Sequence, residues 1–296
     1  MLRKLFLLAT LAAVAASAQA RLQEERLDVP VTVQDRAGQS ETRLVRTSLF
    51  RDDASKGEAP VAIILHGRPA DSAAKADMGR ARFSAAVDFF VKRGYVVAVP
   101  TRIGYGVTGG RDVEASGNCE RREFGPGFQA AADQALAVLE VVRKRPGVAH
   151  DRTVLVGHSY GGIVALAAAA RKPAGLQCGG QCVWRSRRRS QATSWQQPCS
   201  TFPLAQQLRS FGTAVRVPTL WLYATNDRYF GATVPKQWFD AYSRIGGAGE
   251  FVDVGRVGAD GHALFTHFPG IWQPRVASFL DRHGLRAART GRGSKS

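Results

Sequence analysis

The sequence has no long hydrophobic run of the kind that crosses a membrane. Its one extended apolar stretch, Leu5–Ala16, follows the basic residues Arg3 and Lys4 and is short for a bilayer span. Ala18-Gln19-Ala20 then matches the small-x-small pattern of a cleavage site. These features predict a signal peptide over residues 1–20, with a short membrane anchor as the alternative. Cleavage would place the mature protein in the periplasm or outside the cell, with no stable membrane anchor.

Cysteine is scarce, since the 296 residues contain only Cys119, Cys178, Cys182 and Cys199. Cys178 and Cys182 have too few possible partner ligands nearby for a structural zinc site, so we expect no metal. Export would permit disulfide bonds. Four cysteines allow three pairings, and the sequence alone does not choose among them.

Acidic residues are outnumbered, with 24 Asp and Glu against 41 Lys and Arg, which gives a formal net charge of +17. Much of the excess lies in the cluster Arg185–Arg189 and in the arginine-rich C-terminal segment. No basic stripe interleaved with aromatic residues indicates a nucleic-acid groove, so we expect no nucleic-acid partner. Residues 286–296 are rich in Arg, Gly and Ser, which predicts a disordered basic tail.

Strand-like and helix-like segments alternate along the remainder, residues 21–285. Two β-branched runs around a polar turn predict an opening antiparallel hairpin, Val29–Val33 and Leu44–Phe50. Five strands are predicted at Val61–Leu65, Tyr95–Val99, Val154–Val156, Thr219–Tyr223 and Glu250–Val254, the first two of them buried, and five helices at Ala81–Arg93, Phe128–Arg145, Tyr160–Arg171, Val234–Tyr242 and Trp272–His283. This alternation predicts one α/β domain with a mostly parallel sheet covered by helices on both faces.

The segment Gly157–Gly161 reads Gly-His-Ser-Tyr-Gly and lies between a predicted strand and a predicted helix. Such a context is typical of a nucleophile elbow, in which the serine sits on a strained turn and the flanking glycines let the backbone pass closely. The N-terminus of the following helix would present free N–H groups to a developing oxyanion. Ser159 is therefore the predicted nucleophile.

A serine hydroxyl needs a general base, which follows the nucleophile in proteins with this turn. His262 lies in a loop after the strand that ends at Val254, at the strand end where sites in open α/β sheets gather. His267 is the second choice, with a helix cap or a surface position as its other interpretation. His283 falls in the last predicted helix beside the basic tail. We therefore predict His262 as the base.

The acid that orients this histidine should follow the preceding strand. Asp227 comes directly after the predicted strand Thr219–Tyr223, where it could accept a hydrogen bond from His262 Nδ1. Asp240 on a helix and Asp253 within a strand match this position less well. Asp260 is close to His262 in sequence but better suits a turn-shaping role.

An oxyanion hole needs two backbone N–H donors. Tyr160, the residue after Ser159, would supply one of them, and the loop His66–Pro69 after the strand Val61–Leu65 would supply the other. Pro69 has no N–H, so Arg68 is the predicted donor. The alternative interpretation of this loop is an ordinary turn at the end of a strand.

The segments Val61–Pro69, Gly104–Gly106, Gly157–Gly162, Leu220–Asp227 and Gly261–His262 together resemble the α/β-hydrolase superfamily, and are most similar to dienelactone-hydrolase-like proteins. The resemblance covers nearly all of residues 27–283. It implies an α/β-hydrolase fold with an eight-stranded sheet, hydrolysis of an ester or related acyl bond, a small-molecule substrate, and no metal or organic cofactor.

One departure limits what the resemblance implies about the substrate. Dienelactone hydrolases proper use a cysteine nucleophile, whereas this sequence has Ser159, so a generic ester is the better expectation than a lactone. Exported relatives also resemble this chain in having cysteines near Cys119 and Cys199. The resemblance therefore implies a disulfide between these two residues.

The segment after the predicted helix Tyr160–Arg171 is difficult to assign. A strand is expected there, but Leu176–Trp184 reads Leu-Gln-Cys-Gly-Gly-Gln-Cys-Val-Trp and leads into the arginine cluster. With a one-nucleotide shift, suitable codons for Cys178–Trp184 would read Ala-Ala-Val-Asn-Val-Ser-Gly, a good buried strand. We hypothesise a local reading-frame error over residues 177–195, with a real basic insertion as the alternative.

Two other functions remain open from the sequence. An exported oligopeptidase-like peptidase would use the same three residues, although such peptidases usually carry a propeller domain that this chain lacks. A basic surface-binding protein with an inactive site would belong to a different class. Reactivity of Ser159 towards a fluorophosphonate distinguishes the second of these from an enzyme.

Overall fold

The computed structural model describes residues 22–53, 57–69, 71–182 and 198–285. The predicted signal peptide, the arginine cluster and the basic tail lie outside the described residues. Within the described residues, no helix is both long enough and apolar enough to cross a membrane.

Eight strands form one sheet in the order β1-β2-β4-β3-β5-β6-β7-β8. β1 pairs antiparallel with β2, β2 pairs antiparallel with β4, and all the later pairs are parallel. The strands are β1 Leu22–Gln34, β2 Ser40–Asp52, β3 Ala59–Leu65, β4 Val96–Thr101, β5 Val148–His158, β6 Leu176–Cys182, β7 Thr219–Tyr223 and β8 Gly249–Asp253. The predicted mostly parallel, eight-stranded sheet is confirmed.

Helices cover both faces of the sheet. They are α1 Ser72–Ala76, α2 Ser84–Lys92, α3 Gly125–Arg143, α4 Tyr160–Ala170, α5 Pro198–Ala214, α6 Val234–Ser243, α7 Leu264–His267 and α8 Pro269–Arg282. Helices α3, α4, α5 and α6 pack into one apolar core, whereas α2, α7 and α8 pack into the other.

The continuous apolar runs in the sequence reflect this two-sided burial. In β3, Val61, Ile63 and Leu65 face the first core while Ala62 and Ile64 face the second, and all five are fully buried. Because successive side chains of a strand point to opposite faces, a strand covered on both sides must be apolar at every position. β3 ends at Leu65, and the polar residues that follow it, His66-Gly67-Arg68, lie in a loop beyond this covered part of the sheet.

The segment after α4, which is difficult to assign from its sequence, forms the expected strand. Residues Leu176–Cys182 form β6, with Val154 of β5 opposite Cys178 and Leu222 of β7 opposite Cys182. Strands on both sides provide hydrogen bonds for its backbone, and this tertiary pairing outweighs the weak strand preference of the Gly-Gly pair. The reading-frame hypothesis itself stays a prediction, and an intact frame on resequencing the gene would end it.

Candidate active site

The turn Gly157–Gly161, called the elbow below, joins the end of β5 to the start of α4. Ser159 precedes the helix with φ 57° and ψ −121°, a conformation that side-chain-bearing residues rarely adopt. A Cβ atom on Gly157 would lie 2.1 Å from the carbonyl oxygen of Gly161, and one on Gly161 would lie 2.1 Å from that of Leu65. Both glycines are thus required sterically, and the elbow packs directly against the end of β3.

Asp227 and His262 form a buried pair at the same edge of the sheet. Asp227 follows β7 and His262 follows β8, and the distance between His262 Nδ1 and Asp227 Oδ2 is 2.7 Å, with both side chains at most 1% exposed. Since an ionised carboxylate only accepts hydrogen bonds, Nδ1–H donates. This bond fixes the proton of a neutral His262 on Nδ1 and leaves Nε2 as its acceptor.

Backbone groups hold the Asp227 carboxylate in place. Its Oδ1 accepts hydrogen bonds from the backbone N–H groups of Tyr229, at 2.8 Å, and Phe230, at 2.9 Å. Oδ2 is thereby left for His262. Both carboxylate oxygens are engaged, so the carboxylate cannot rotate without losing contacts.

Two aromatic rings that the sequence analysis missed pack against His262. The Tyr229 ring stacks on the imidazole with a centroid distance of 4.8 Å and an interplanar angle of 16°, and Phe230 meets it edge-on at 5.3 Å. The only sequence signal was their position directly after Asp227. The same short segment therefore orients the carboxylate through its backbone and the imidazole through its side chains.

Asp260 connects the two loops that carry this pair. Its Oδ1 accepts from the backbone N–H groups of His262 and Arg228, each at 3.1 Å. The neighbouring Gly261 lies so close to the β7 loop that a Cβ atom there would be 2.5 Å from the Cβ of Ala224. Asp260 thus has the turn-shaping position that the sequence predicted for it.

The other histidines after Ser159 contact other residues. His267 is exposed at the end of α7, and its Nδ1 lies 2.7 Å from the hydroxyl of Thr266. His283 follows α8, where its ring packs against Phe279. Of the three histidines considered from the sequence, the structure brings His262 to Asp227.

His262 also lies within electrostatic range of the elbow. Burial lowers the pKa of His158, the residue before Ser159, well below its usual value, and the neighbouring His262 lowers it further. The His158 ring is enclosed by Phe83 at 5.1 Å and Phe265 at 5.6 Å. Because β5, β7 and β8 run parallel, Ser159, Asp227 and His262, which follow their carboxyl ends, lie along one edge of the sheet.

The loop His66–Pro69, called the β3 loop below, contains the predicted donor Arg68. The Arg68 side chain forms a bidentate ion pair with Asp112, at 2.8 and 2.6 Å, and its guanidinium lies 5.9 Å from the centre of the Tyr160 ring. Burial by itself raises the pKa of Asp112, but Arg68 and Lys75 outweigh it and hold that pKa at about 2. The two predicted oxyanion residues, Arg68 and Tyr160, are thus neighbours.

A family model described as the alpha/beta hydrolase family matches residues 62–284 of the chain. The chain belongs to the alpha/beta hydrolase family. None of the curated proteins matches it significantly.

Solved structures share the fold of this alpha/beta hydrolase at low sequence identity. A Klebsiella pneumoniae protein assigned as a dienelactone hydrolase has a TM-score of 0.53 and 15% identity, covering 89% of this chain and 99% of its own. An esterase of Pyrococcus furiosus has a TM-score of 0.52 and 16% identity, with coverages of 87% and 90%. The acylaminoacyl peptidase of Pyrococcus horikoshii has a TM-score of 0.59 and 12% identity, with coverages of 93% and 43%.

A buried cluster of Arg102, Tyr105 and Glu114, called the Arg102 cluster below, lies behind the β3 loop. The Arg102 and Glu114 side chains are 0% exposed and pair at 2.5 Å, and the Tyr105 hydroxyl also donates to Glu114. This cluster was not predicted from the sequence. Its members come from the glycine-rich loop after β4, whose charged residues gave no sign of burial.

The cysteines and possible metal ligands of this alpha/beta hydrolase bear on two further predictions. Cys119 is disulfide-bonded, whereas Cys178 is a buried free thiol and is therefore not its partner. The side chain of Cys199 lies outside the described residues, so its predicted pairing with Cys119 stays a prediction.

Among the residues described, no group of three or more His, Cys, Asp or Glu could hold a metal ion.

Proposed function

We propose that this alpha/beta hydrolase is a serine hydrolase that cleaves an ester, or a related acyl bond, of a small molecule through an acyl-enzyme. One observation carries the proposal. The buried pair of Asp227 and His262, with its 2.7 Å hydrogen bond, lies at the same sheet edge as the strained elbow of Ser159. A histidine oriented by a carboxylate is the group that a serine nucleophile requires.

In the first step, Ser159 Oγ attacks the carbonyl carbon of the substrate while His262 Nε2 accepts the hydroxyl proton. Asp227 keeps the other proton on Nδ1 and stabilises the imidazolium that forms. Positioned general-base catalysis of this kind contributes about 10²- to 10⁴-fold in rate.

The tetrahedral intermediate carries its negative charge on the former carbonyl oxygen, which the backbone N–H groups of Tyr160 and Arg68 would stabilise. The intermediate collapses when His262 donates its proton to the leaving oxygen. Water, deprotonated by His262, then attacks the acyl-enzyme and releases the carboxylic acid. Ser159 regains its proton, and no cofactor takes part in these steps.

The location of the reaction is a further part of the proposal. The signal peptide predicted at residues 1–20 would direct the protein to the periplasm or the medium. The disulfide at Cys119 supports this location, because disulfides persist mainly in oxidising compartments. We propose that the pairing is Cys119 with Cys199.

A panel of p-nitrophenyl esters of rising acyl-chain length tests the proposed activity. We expect hydrolysis by the wild type, with kcat reduced about 10⁴- to 10⁶-fold in Ser159→Ala and His262→Ala. His267→Ala is the matched control, because His267 also follows Ser159 but is exposed. It should retain wild-type activity.

Other outcomes of the same experiment would contradict the proposal or redirect it. Hydrolysis that survives Ser159→Ala, or that depends on His267 as much as on His262, would refute the assignment of the site. Cleavage of peptide anilides at rates above those of the esters would favour the peptidase alternative. No hydrolysis of either class would support the alternative of an inactive, surface-binding protein.

A further inference from the structure

We propose that Arg102 is a positioning residue that orients the Gly67–Arg68 peptide, and with it the N–H group offered to the oxyanion. This inference rests on the proposed function, since it assigns Arg102 a role in the same site. Arg102 lies directly after β4, the strand that pairs with β3.

Arg102 contacts the β3 loop at three atoms. Its backbone N–H donates to His66 Nε2 at 3.0 Å, Nη1 donates to the carbonyl oxygen of His66 at 2.6 Å, and Nη2 makes a longer contact of 3.5 Å with that of Gly67. Arg68 is the next residue in the chain. The guanidinium thus holds the backbone immediately before the proposed donor.

The first of these contacts determines the tautomer of His66. A backbone N–H can only donate, so Nε2 accepts and the ring proton is on Nδ1. His66 Nδ1–H in turn donates to the carbonyl oxygen of Gly67, at 2.7 Å. Burial lowers the pKa of His66 well below its usual value, and the charge of Arg102 lowers it further. The neutral tautomer required by this relay is therefore the favoured one.

Because the peptide bond is planar, these contacts with the Gly67 carbonyl also fix the direction of the Arg68 N–H group. In a trans peptide the carbonyl of one residue and the N–H of the next point in opposite directions, and the described residues contain no cis peptide. The Gly67 carbonyl is turned towards His66 and Arg102. The N–H of Arg68 must then point away from them.

The same guanidinium is also packed against the second proposed donor. Arg102 lies 5.6 Å from the centre of the Tyr160 ring, and Phe128 packs on that ring at 4.8 Å. One buried side chain therefore contacts both the loop that carries Arg68 and the residue after Ser159. A misplacement of about 1 Å in such a site can cost about 10²-fold in rate.

The Arg102–Glu114 pair need not stabilise the fold for Arg102 to matter in the site. Replacing a fully buried ion pair by apolar side chains of similar volume is often neutral for stability, because desolvation offsets the attraction between the charges. The specific effect of Arg102 should then appear in the chemistry of the oxyanion. A positioning role for Arg102 would therefore change how the enzyme stabilises the oxyanion, whereas a packing role would change only the stability of the fold.

The test compares a p-nitrophenyl ester with its thionoester, in which sulfur replaces the carbonyl oxygen and accepts hydrogen bonds weakly. We expect the ratio of kcat/KM for the ester to that for the thionoester to fall about 10-fold or more in Arg102→Met/Glu114→Gln, through kcat rather than KM. Arg102→Lys keeps a charge beside Glu114 but lacks the guanidinium fork, so it should lower the ratio as well.

Arg143→Met is the matched control. Arg143 is also a buried arginine that donates to a backbone carbonyl, but its partners are Thr153, in the middle of β5, and Ala174, before the start of β6. It should change thermal stability without changing the ester-to-thionoester ratio. An unchanged ratio in both Arg102 variants, or an equal fall in Arg143→Met, would overturn the inference.

A crystal structure of Arg102→Lys separates this inference from the proposed function. We expect the Gly67–Arg68 peptide to rotate, whether or not the protein hydrolyses any ester. A peptide that keeps its orientation in this variant would overturn the positioning role. Absence of ester hydrolysis by the wild type would overturn only the proposed function.

Discussion

At the scale of single residues, the account depends on how Asp227 is held. Its Oδ1 accepts two backbone N–H groups, so Oδ2 remains to accept from His262. An asparagine at this position would still accept through its carbonyl oxygen from the backbone. Its NH₂ group would then face the imidazole and would favour the wrong tautomer of His262.

Asp227→Asn should therefore lower kcat by about 10⁴-fold while the protein remains folded. Steady-state kinetics on the preferred p-nitrophenyl ester, with a thermal melt of the same sample, measures both effects. Asp240→Asn is the control, since Asp240 pairs with Lys236 on the exposed side of α6. Near-normal turnover in Asp227→Asn, or a comparable loss in Asp240→Asn, would disagree with the account.

At the scale of elements, the sequence predicted those strands and turns whose residues are determined by one local requirement, such as burial or a tight turn. Burial on both faces makes β3 and most of β4 continuously apolar, and the strand–turn–helix context is enough to place the elbow at Ser159 from the sequence alone. Chain order and position after a strand were enough to select Asp227 and His262. These are the residues that the structure brings together as a pair.

The elements that the sequence did not reveal depend on contacts distant in the chain. β6 forms because β5 and β7 pair with both of its edges, and the hairpin strands extend from Leu22 to Asp52, beyond their apolar stretches. Helix α5 has a weakly apolar sequence and a proline at position 203, and was not predicted. The Arg102 cluster was missed for a different reason, because the burial of a charged side chain depends on a counterion that the sequence pattern does not place beside it.

At the scale of the whole molecule, two buried histidines should make stability depend on pH. The pKa values of His66 and His158 are both held well below 6.5, chiefly by burial. An unfolded histidine titrates near pH 6.5, so below that pH the unfolded chain binds protons that the folded chain does not. This contribution to stability is complete above about pH 6.5 and is lost as the pH falls below it.

The free energy of unfolding should therefore decline between about pH 6.5 and pH 5, by on the order of 1 kcal/mol per pH unit for each histidine. Denaturant titrations across this range measure the slope. His158→Gln should decline less steeply than the wild type. His150→Gln, at an exposed position in β5, should keep the wild-type slope. Equal slopes in all three proteins would argue against neutral, buried histidines.

The central claim is that Ser159 is an activated nucleophile, and covalent labelling tests it most directly. We would treat the protein with a fluorophosphonate and locate the adduct by peptide mass spectrometry. The account predicts one adduct per molecule on Ser159, absent in Ser159→Ala and much slower to form in His262→Ala. No labelling of the folded protein, or labelling unchanged by Ser159→Ala, would contradict it.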